Sequence, residues 1–316
     1  MGNWRTAVLT MVESIVGVPR FVGRMLLLLG LAAGLLGSAC AHAFQVKDGD
    51  LKTIFYSKTD VPVVWRYTPN SEVMILDVPG LEQLGRTFNR VTQLTEQQYS
   101  EPYPRVLTSL ELAKYIGNAH RTFANFAAGH DLRIADLVQF FNLADRDKVE
   151  LFPEEYALRD FLLEQGLIKE WRGFYQVQRP QAMILSIPQV QERRGGEPAV
   201  TSQARYAILL HELAHAEFHT NAAYNKYCRA FWTNGLTAAQ RDSFKKFLAG
   251  MRYSVDNEDL VINEVQAYLM FTPDAGAFSA ARLGVTENVL AGLRDSFARG
   301  QPPVRLPLRV KAGELP

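Results

Sequence analysis

Cysteine is scarce in this chain, because Cys40 and Cys228 are the only two among 316 residues. A framework of several disulfides is therefore excluded, and stability must come from packing or from a bound metal. An excess of one charge is missing too, since 34 basic and 33 acidic residues give a net charge of +1. Without a basic face there is no surface of the kind that nucleic acid requires, and we expect no nucleic-acid partner.

Long apolar runs are also missing. The strongest run, residues 25–36, follows several arginines and precedes a stretch of small residues. It is about a dozen residues long, whereas a membrane-spanning helix needs about 20. The order of basic, apolar and small residues is typical of a secretory signal peptide. Ala41-His42-Ala43 fits the A-x-A cleavage pattern, so we predict that residues 1–43 are removed and that Phe44 begins the mature protein.

Two other interpretations of this leader remain open. Cys40 follows Ser38-Ala39 and is a candidate lipidation site, which would attach the protein to a membrane. Alternatively the apolar run stays uncut as an anchor. Each interpretation predicts an exported protein, periplasmic or secreted, whose main body lies outside the cytoplasm. Cleavage at Ala43 would leave Cys228 as the single cysteine, and we interpret it as a buried apolar residue.

The rest of the chain changes between strand and helix patterns. Residues 62–67 and 72–76 are rich in β-branched and aromatic side chains, which favours strands. Helical spacing of apolar residues follows from Gly80 to about Gly166, strand character returns over 172–190, and helices dominate the remainder. We therefore predict a predominantly helical α+β protein with a small sheet. Its predicted regions are the leader, a mostly helical region with a few strands (44–170), a catalytic region (171–300) and an extended tail (301–316).

The sequence His211-Glu212-Leu213-Ala214-His215 lies in a predicted helix that Thr201 can cap. Residues four apart share one helix face, so the two imidazoles can bind one ion. Zinc accepts two such nitrogens and a third protein ligand, and it keeps its fourth position for water. A carboxylate at Glu212 is then placed to move the protons of that water. The motif therefore predicts a zinc site with Glu212 as the general base.

Glu264 lies on a later predicted helix, within Asn263-Glu264-Val265-Gln266-Ala267. Together with the histidine pair, this resembles the gluzincin class of zinc metallopeptidases, in which a glutamate on a second helix completes the site. The resemblance covers residues 182–271. It implies a zincin-like catalytic region with an active-site helix, one Zn²⁺ per chain held by His211, His215 and Glu264, and a peptide or protein substrate.

His219 is the alternative third ligand, because it follows His215 by one further helical turn. Three ligands on one straight helix do not converge easily on a tetrahedral ion, so we favour Glu264 and interpret His219 as a group next to the ligands or facing the substrate. An oxyanion-stabilising donor is also expected near the zinc. Tyr253 and Tyr268 are the candidates for that role, although a tyrosine in such a place is more often a core residue.

The zincin resemblance also implies an edge strand beside the active-site helix that pairs with an extended substrate. The strand at residues 182–187 stands at the expected place, which makes Ile184 and Ser186 candidate substrate-binding residues. We expect hydrolysis of peptide bonds outside the cytoplasm. The alternatives are a zincin-fold enzyme acting on another amide, an inactive zincin-fold protein with a structural zinc, and an envelope binding module without metal.

Overall fold

The structure, a computed structural model, describes residues 44–96, 104–307 and 315–316. The predicted leader, with its cleavage site at Ala43 and the lipidation candidate Cys40, lies outside these residues. The described part is an α+β protein that is about 52% helical. None of its helices is long and apolar enough to cross a membrane.

The described part of the chain contains eleven α-helices. They are α1 (Leu51–Phe55), α2 (Leu81–Glu96), α3 (Ser109–Asn118), α4 (Ile134–Arg146), α5 (Pro153–Glu164), α6 (Ser202–Thr220), α7 (Ala222–Ala230), α8 (Ala238–Ala249), α9 (Glu258–Phe271), α10 (Ala280–Leu283) and α11 (Glu287–Gly300). Short 3₁₀ and π turns lie at Phe123–Asn125 and Phe231–Gly235.

A mixed five-stranded sheet forms the centre of the fold. Its strands are β1 (Gln45–Gly49), β2 (Val63–Tyr67), β3 (Val73–Val78), β4 (His130–Arg133) and β7 (Met183–Pro188), in the order β1-β2-β3-β7-β4. The β1-β2 and β3-β7 pairs are parallel, and the β2-β3 and β4-β7 pairs are antiparallel. A separate hairpin joins β5 (Ile168–Trp171) to β6 (Phe174–Val177). Because β7 pairs with β3 and β4, the regions predicted before and after residue 170 share one sheet.

The expectation that residues 182–187 form the edge strand is wrong. β7 lies between β3 and β4, and β4 occupies the edge of the sheet. The helical prediction for residues 80–166 overlooked β4 because this strand has four residues and no alternating apolar pattern.

The two faces of the sheet pack against different helices. Met183, Leu185 and Ile187 belong to the core formed with α6 and α9. Ile184 belongs to the core formed with α2, α4 and α5. Side chains alternate between the faces of a strand, so the even-numbered residues of β7 point away from α6. Ser186 follows this rule, since its hydroxyl lies 2.7 Å from Nδ1 of His130, whose ring stacks on Phe88 of α2.

A buried ion pair holds α6 on the sheet. The guanidinium of Arg205 donates to both carboxylate oxygens of Asp77 in β3, at 2.7 and 3.0 Å, and also to the backbone carbonyls of Ile54, Phe55 and Pro188. Arg205 and Asp77 are fully buried. A buried charge pair is tolerated when its hydrogen bonds are satisfied in this way. These bonds fix the N-terminal half of α6 against the C-terminal ends of β3 and β7 and the end of α1.

Candidate metal centre

Helix α6 presents two histidines to one point. Thr201 caps the helix by accepting a hydrogen bond from the backbone nitrogen of Ala204, as the sequence predicted. His211 and His215 are 3% and 2% exposed, and their Nε2 atoms lie 3.0 Å apart. Because every residue from Ala204 to Phe218 is buried, the helix lies inside the core with the histidine pair enclosed.

Helix α9 brings Glu264 to the same point. Its carboxylate oxygens lie 3.6 Å from Nε2 of His211 and 3.8 Å from Nε2 of His215. Ligand atoms 2.0–2.2 Å from one tetrahedral zinc ion are about 3.4 Å from each other. The three separations of 3.0, 3.6 and 3.8 Å lie close to this value. The two nitrogens and the carboxylate are therefore placed so that they could hold a single metal ion.

A buried amide fixes α9 relative to α6. The side-chain nitrogen of Gln266 donates to the backbone carbonyl of Ala214, at 3.2 Å, between the two histidines of α6. Its carbonyl oxygen accepts a hydrogen bond from the hydroxyl of Tyr224, at 2.9 Å. Buried polar networks of this kind specify one register because a shift would break their hydrogen bonds. Gln266 thus sets where Glu264, two residues earlier, meets the histidines.

A threonine behind His211 sets the tautomer of its ring. The Thr272 hydroxyl donates to the backbone carbonyl of Ala267, at 3.0 Å, and lies 2.9 Å from Nδ1 of His211. The single hydroxyl proton is used by Ala267, so Nδ1 of His211 is the donor and Nε2 keeps its lone pair. Burial lowers the pKa of His211 to about 3, which keeps the ring neutral. Orientation of a ligating imidazole by a partner on its other nitrogen is common in metal sites.

Glu212 lies beside the cluster and against a glycine. It is 6% exposed, and one of its carboxylate oxygens, an oxygen of Asp131 and a nitrogen of His215 all lie within 4.8 Å of one another. A Cβ added at Gly129 would lie 2.9 Å from Cδ of Glu212 and 2.7 Å from a methyl group of Ile208. Gly129 precedes β4, so the absence of a side chain there lets the edge strand approach the Glu212 carboxylate.

Asp131 is a site residue that the sequence analysis missed. It lies in β4 with its side chain on the α6 face, because His130 and Leu132 pack against the opposite core. Burial, with the Glu264 carboxylate as the second cause, raises the pKa of Asp131 well above its usual range. No spacing in the sequence links Asp131 to the histidine pair, since only the pairing of β4 with β7 places it there.

The remaining predicted residues divide into near and distant ones. His219 is outside the converging ligand group of the described residues and lies 3.4 Å from the Asn263 amide nitrogen. Burial, with His215 as the second cause, lowers its pKa to about 4.

Tyr268 is fully buried with its ring 4.7 Å from that of His211, and Tyr253 is half-buried against the main core. Ile184 and Ser186 are buried on the far face of the sheet, so the structure does not bring them to the cluster.

A polar cavity of about 450 Å³ opens beside the cluster. Glu264, Asp131 and His219 line it, together with residues of α4, α7 and the start of α9. Tyr253 and Tyr268 are not among the described residues of its wall. The volume falls within the range of small-ligand sites, so the cavity can hold part of a peptide next to the cluster.

The site combines a converging three-ligand set, a neighbouring carboxylate and an adjoining cavity. Comparison with protein families, with curated proteins and with solved structures finds no significant match to this chain.

Proposed function

We propose that the protein is a zinc-dependent hydrolase of peptide bonds with a zincin-like catalytic region. The observation that carries this proposal is the convergence of His211, His215 and Glu264, with the Glu212 carboxylate beside them. Three protein ligands are typical of catalytic zinc sites, whereas structural sites are closed by four. This favours hydrolysis over a structural zinc and over a binding module without metal. The proposed leader would place the activity outside the cytoplasm.

Each residue of the centre has a role in this proposal. His211, His215 and Glu264 hold the ion, and Thr272 orients the His211 ring. When bound, zinc supplies a Lewis acid that polarises the scissile carbonyl and lowers the pKa of a water molecule. Glu212 accepts a proton from the attacking water through its carboxylate and delivers it to the nitrogen of the leaving amine.

The edge strand β4 supports a peptide as the substrate. This strand, which contains Asp131, is the outermost one of the sheet and pairs with β7 only. None of the described strands therefore covers its outer edge. An extended peptide can add to such an edge through backbone hydrogen bonds. Gly129 lies directly before β4, and a Cβ at this position would collide with Glu212. A peptide on this edge would therefore run past the proposed base.

Metal content tests the proposal directly. Purified full-length protein is expected to hold about one zinc per chain by mass spectrometry and to cleave peptides only when loaded. The His211→Ala variant is expected to lose both the metal and the cleavage. Lack of bound metal after incubation with zinc would contradict the site, and one bound zinc without cleavage of any peptide in a mixed library would contradict hydrolysis.

Gly129→Ala tests the contact between the edge strand and the base. The added methyl group would displace the Glu212 carboxylate, whereas the three ligands would remain in place. We expect kcat/KM to fall about 10- to 100-fold, because small displacements of a catalytic group are costly. Zinc content should stay at the wild-type level.

Gly292→Ala is the matched control for this prediction. A Cβ at Gly292 in α11 meets no atom within 4 Å, so we expect wild-type kinetics. Full activity of Gly129→Ala would show that the position of the Glu212 carboxylate does not depend on the close approach of the backbone at residue 129.

A further inference from the structure

Most charged groups of the cavity are already paired. Arg133 donates to both carboxylate oxygens of Asp136, at 2.9 and 2.6 Å, and Arg229 pairs with Asp259. All four residues line the cavity beside the metal cluster. Each pair carries no net charge, so these groups do not favour a ligand of either sign.

Two acidic residues of the cavity wall, Glu264 and Asp131, do not belong to these pairs. Glu264 belongs to the metal cluster. Asp131 forms no ion pair with any residue that the structure describes, and its carboxylate lies within 4.8 Å of that of Glu212. Burial and the Glu264 carboxylate favour the neutral form of Asp131 as long as no cation is near. A cation beside Asp131 would stabilise its carboxylate form, and no cation of the described cavity wall is placed to pair with it. A carboxylate in such a place binds a cation more favourably than a neutral group.

We propose that Asp131 binds a protonated amine or guanidinium group of the substrate next to the scissile bond. The inference rests on the proposed function and names its substrate class: peptides that carry a positive charge adjacent to the cleaved bond. Asp131 lies within 4.8 Å of the proposed base and of one ligand, so the charge must be close to the reacting carbonyl. The free α-amine of a terminal residue and the side chain of Lys or Arg are the two sources of this chemistry.

A second metal ion is the competing occupant of the Asp131 carboxylate. Asp131, Glu212 and His215 form the second converging group among the described residues. The Nε2 atom of His215 already faces His211 and Glu264, at 3.0 and 3.8 Å, so a second ion would share a ligand with the first. We therefore favour a substrate cation. Two zinc ions per wild-type chain, falling to one in Asp131→Asn, would overturn the proposal.

The substrate preference is measured on the zinc-loaded full-length protein. A mixed peptide library is digested and the cleaved bonds are identified by mass spectrometry. One cleaved peptide is then made with its N-terminus free or acetylated, and with its basic residues kept or replaced by norleucine. Removal of the recognised charge is expected to lower kcat/KM about 10- to 100-fold, as for loss of a charge-assisted hydrogen bond. Sensitivity to acetylation identifies the α-amine, and sensitivity to norleucine identifies the side chain. Insensitivity to both overturns the proposal.

Asp131→Asn and Asp259→Asn form a matched pair, because both residues line the cavity but Asp259 is paired with Arg229. The preference is the ratio of kcat/KM for the charged peptide to kcat/KM for the neutral one. We expect this ratio to fall close to one in Asp131→Asn and to keep most of its wild-type value in Asp259→Asn. An equal loss on charged and neutral peptides in Asp131→Asn would indicate a general disturbance and overturn the proposal.

A binding measurement separates this inference from hydrolysis itself. Calorimetry on zinc-loaded Glu212→Gln protein compares alanine-based pentapeptides with one lysine or one norleucine, each with a free or acetylated N-terminus. We expect the charged members to bind about 10 to 100 times more tightly than the acetylated norleucine peptide. Such selectivity without cleavage by the wild type would defeat the proposed hydrolysis and leave the cation site standing. Efficient cleavage by the wild type without charge selectivity in binding would support the proposed hydrolysis and overturn the cation site.

Discussion

Glu212→Gln is expected to slow peptide hydrolysis about 10²- to 10⁴-fold while zinc stays bound at the wild-type level. The carboxylate lies beside the cluster, but the converging ligand atoms are those of His211, His215 and Glu264. Glutamine keeps the size of the side chain and loses the ability to accept a proton. General bases contribute about 10²- to 10⁴-fold to a rate, so kcat should fall by about this factor with little change in KM. Steady-state kinetics and metal analysis on the same preparation measure both quantities.

Glu217→Gln is the matched control for this result. Glu217 lies on the same helix and is equally buried, but its carboxylate pairs with Arg305 in the segment after α11. We expect some loss of stability, because the buried Glu217 carboxylate loses its charge and its pair with the one-third-exposed Arg305, and we expect kcat to be retained. Loss of zinc in Glu212→Gln would make Glu212 a ligand, and unchanged kcat would remove it from the mechanism.

The part of the site that the sequence predicts follows from short-range rules. His211 and His215 share a helix face because of the 3.6-residue period, and the cap at Thr201 marks where that helix begins. Glu264 was found by resemblance to a known motif, and the structure brings it to the histidines. The α+β character also followed from the local patterns of apolar residues.

The part that the sequence does not predict depends on contacts between distant segments. β4 has the sequence His-Asp-Leu-Arg, which shows little intrinsic preference for a strand, and it is extended because it pairs with β7. The order of strands is equally non-local, so β7 was placed at the edge although β4 lies there. Asp131, Gly129 and Thr272 acquire their positions near the cluster from these contacts.

Glu264→Ala is expected to release the metal nearly as completely as His215→Ala. The carboxylate is one of the three converging ligands, and its removal leaves two nitrogens for the ion. Removing an outer partner of a ligand typically costs about 10- to 100-fold in metal affinity, which is the change we expect for Thr272→Val. The dissociation constant for zinc should therefore rise more in Glu264→Ala than in Thr272→Val. Competition with a chelator of known affinity measures all of these variants on one scale.

His219→Ala separates the two possible third ligands. The His219 ring lines the cavity and contacts Asn263, whereas no ligand group found among the described residues includes it. We expect His219→Ala to bind zinc within about threefold of the wild type, because neither a ligand nor an outer partner of one is removed. A zinc affinity that falls with His219→Ala and survives Glu264→Ala would require the ion to bind one turn further along α6. In that case the convergence of Glu264 on the histidine pair would be an ordinary buried contact between two helices.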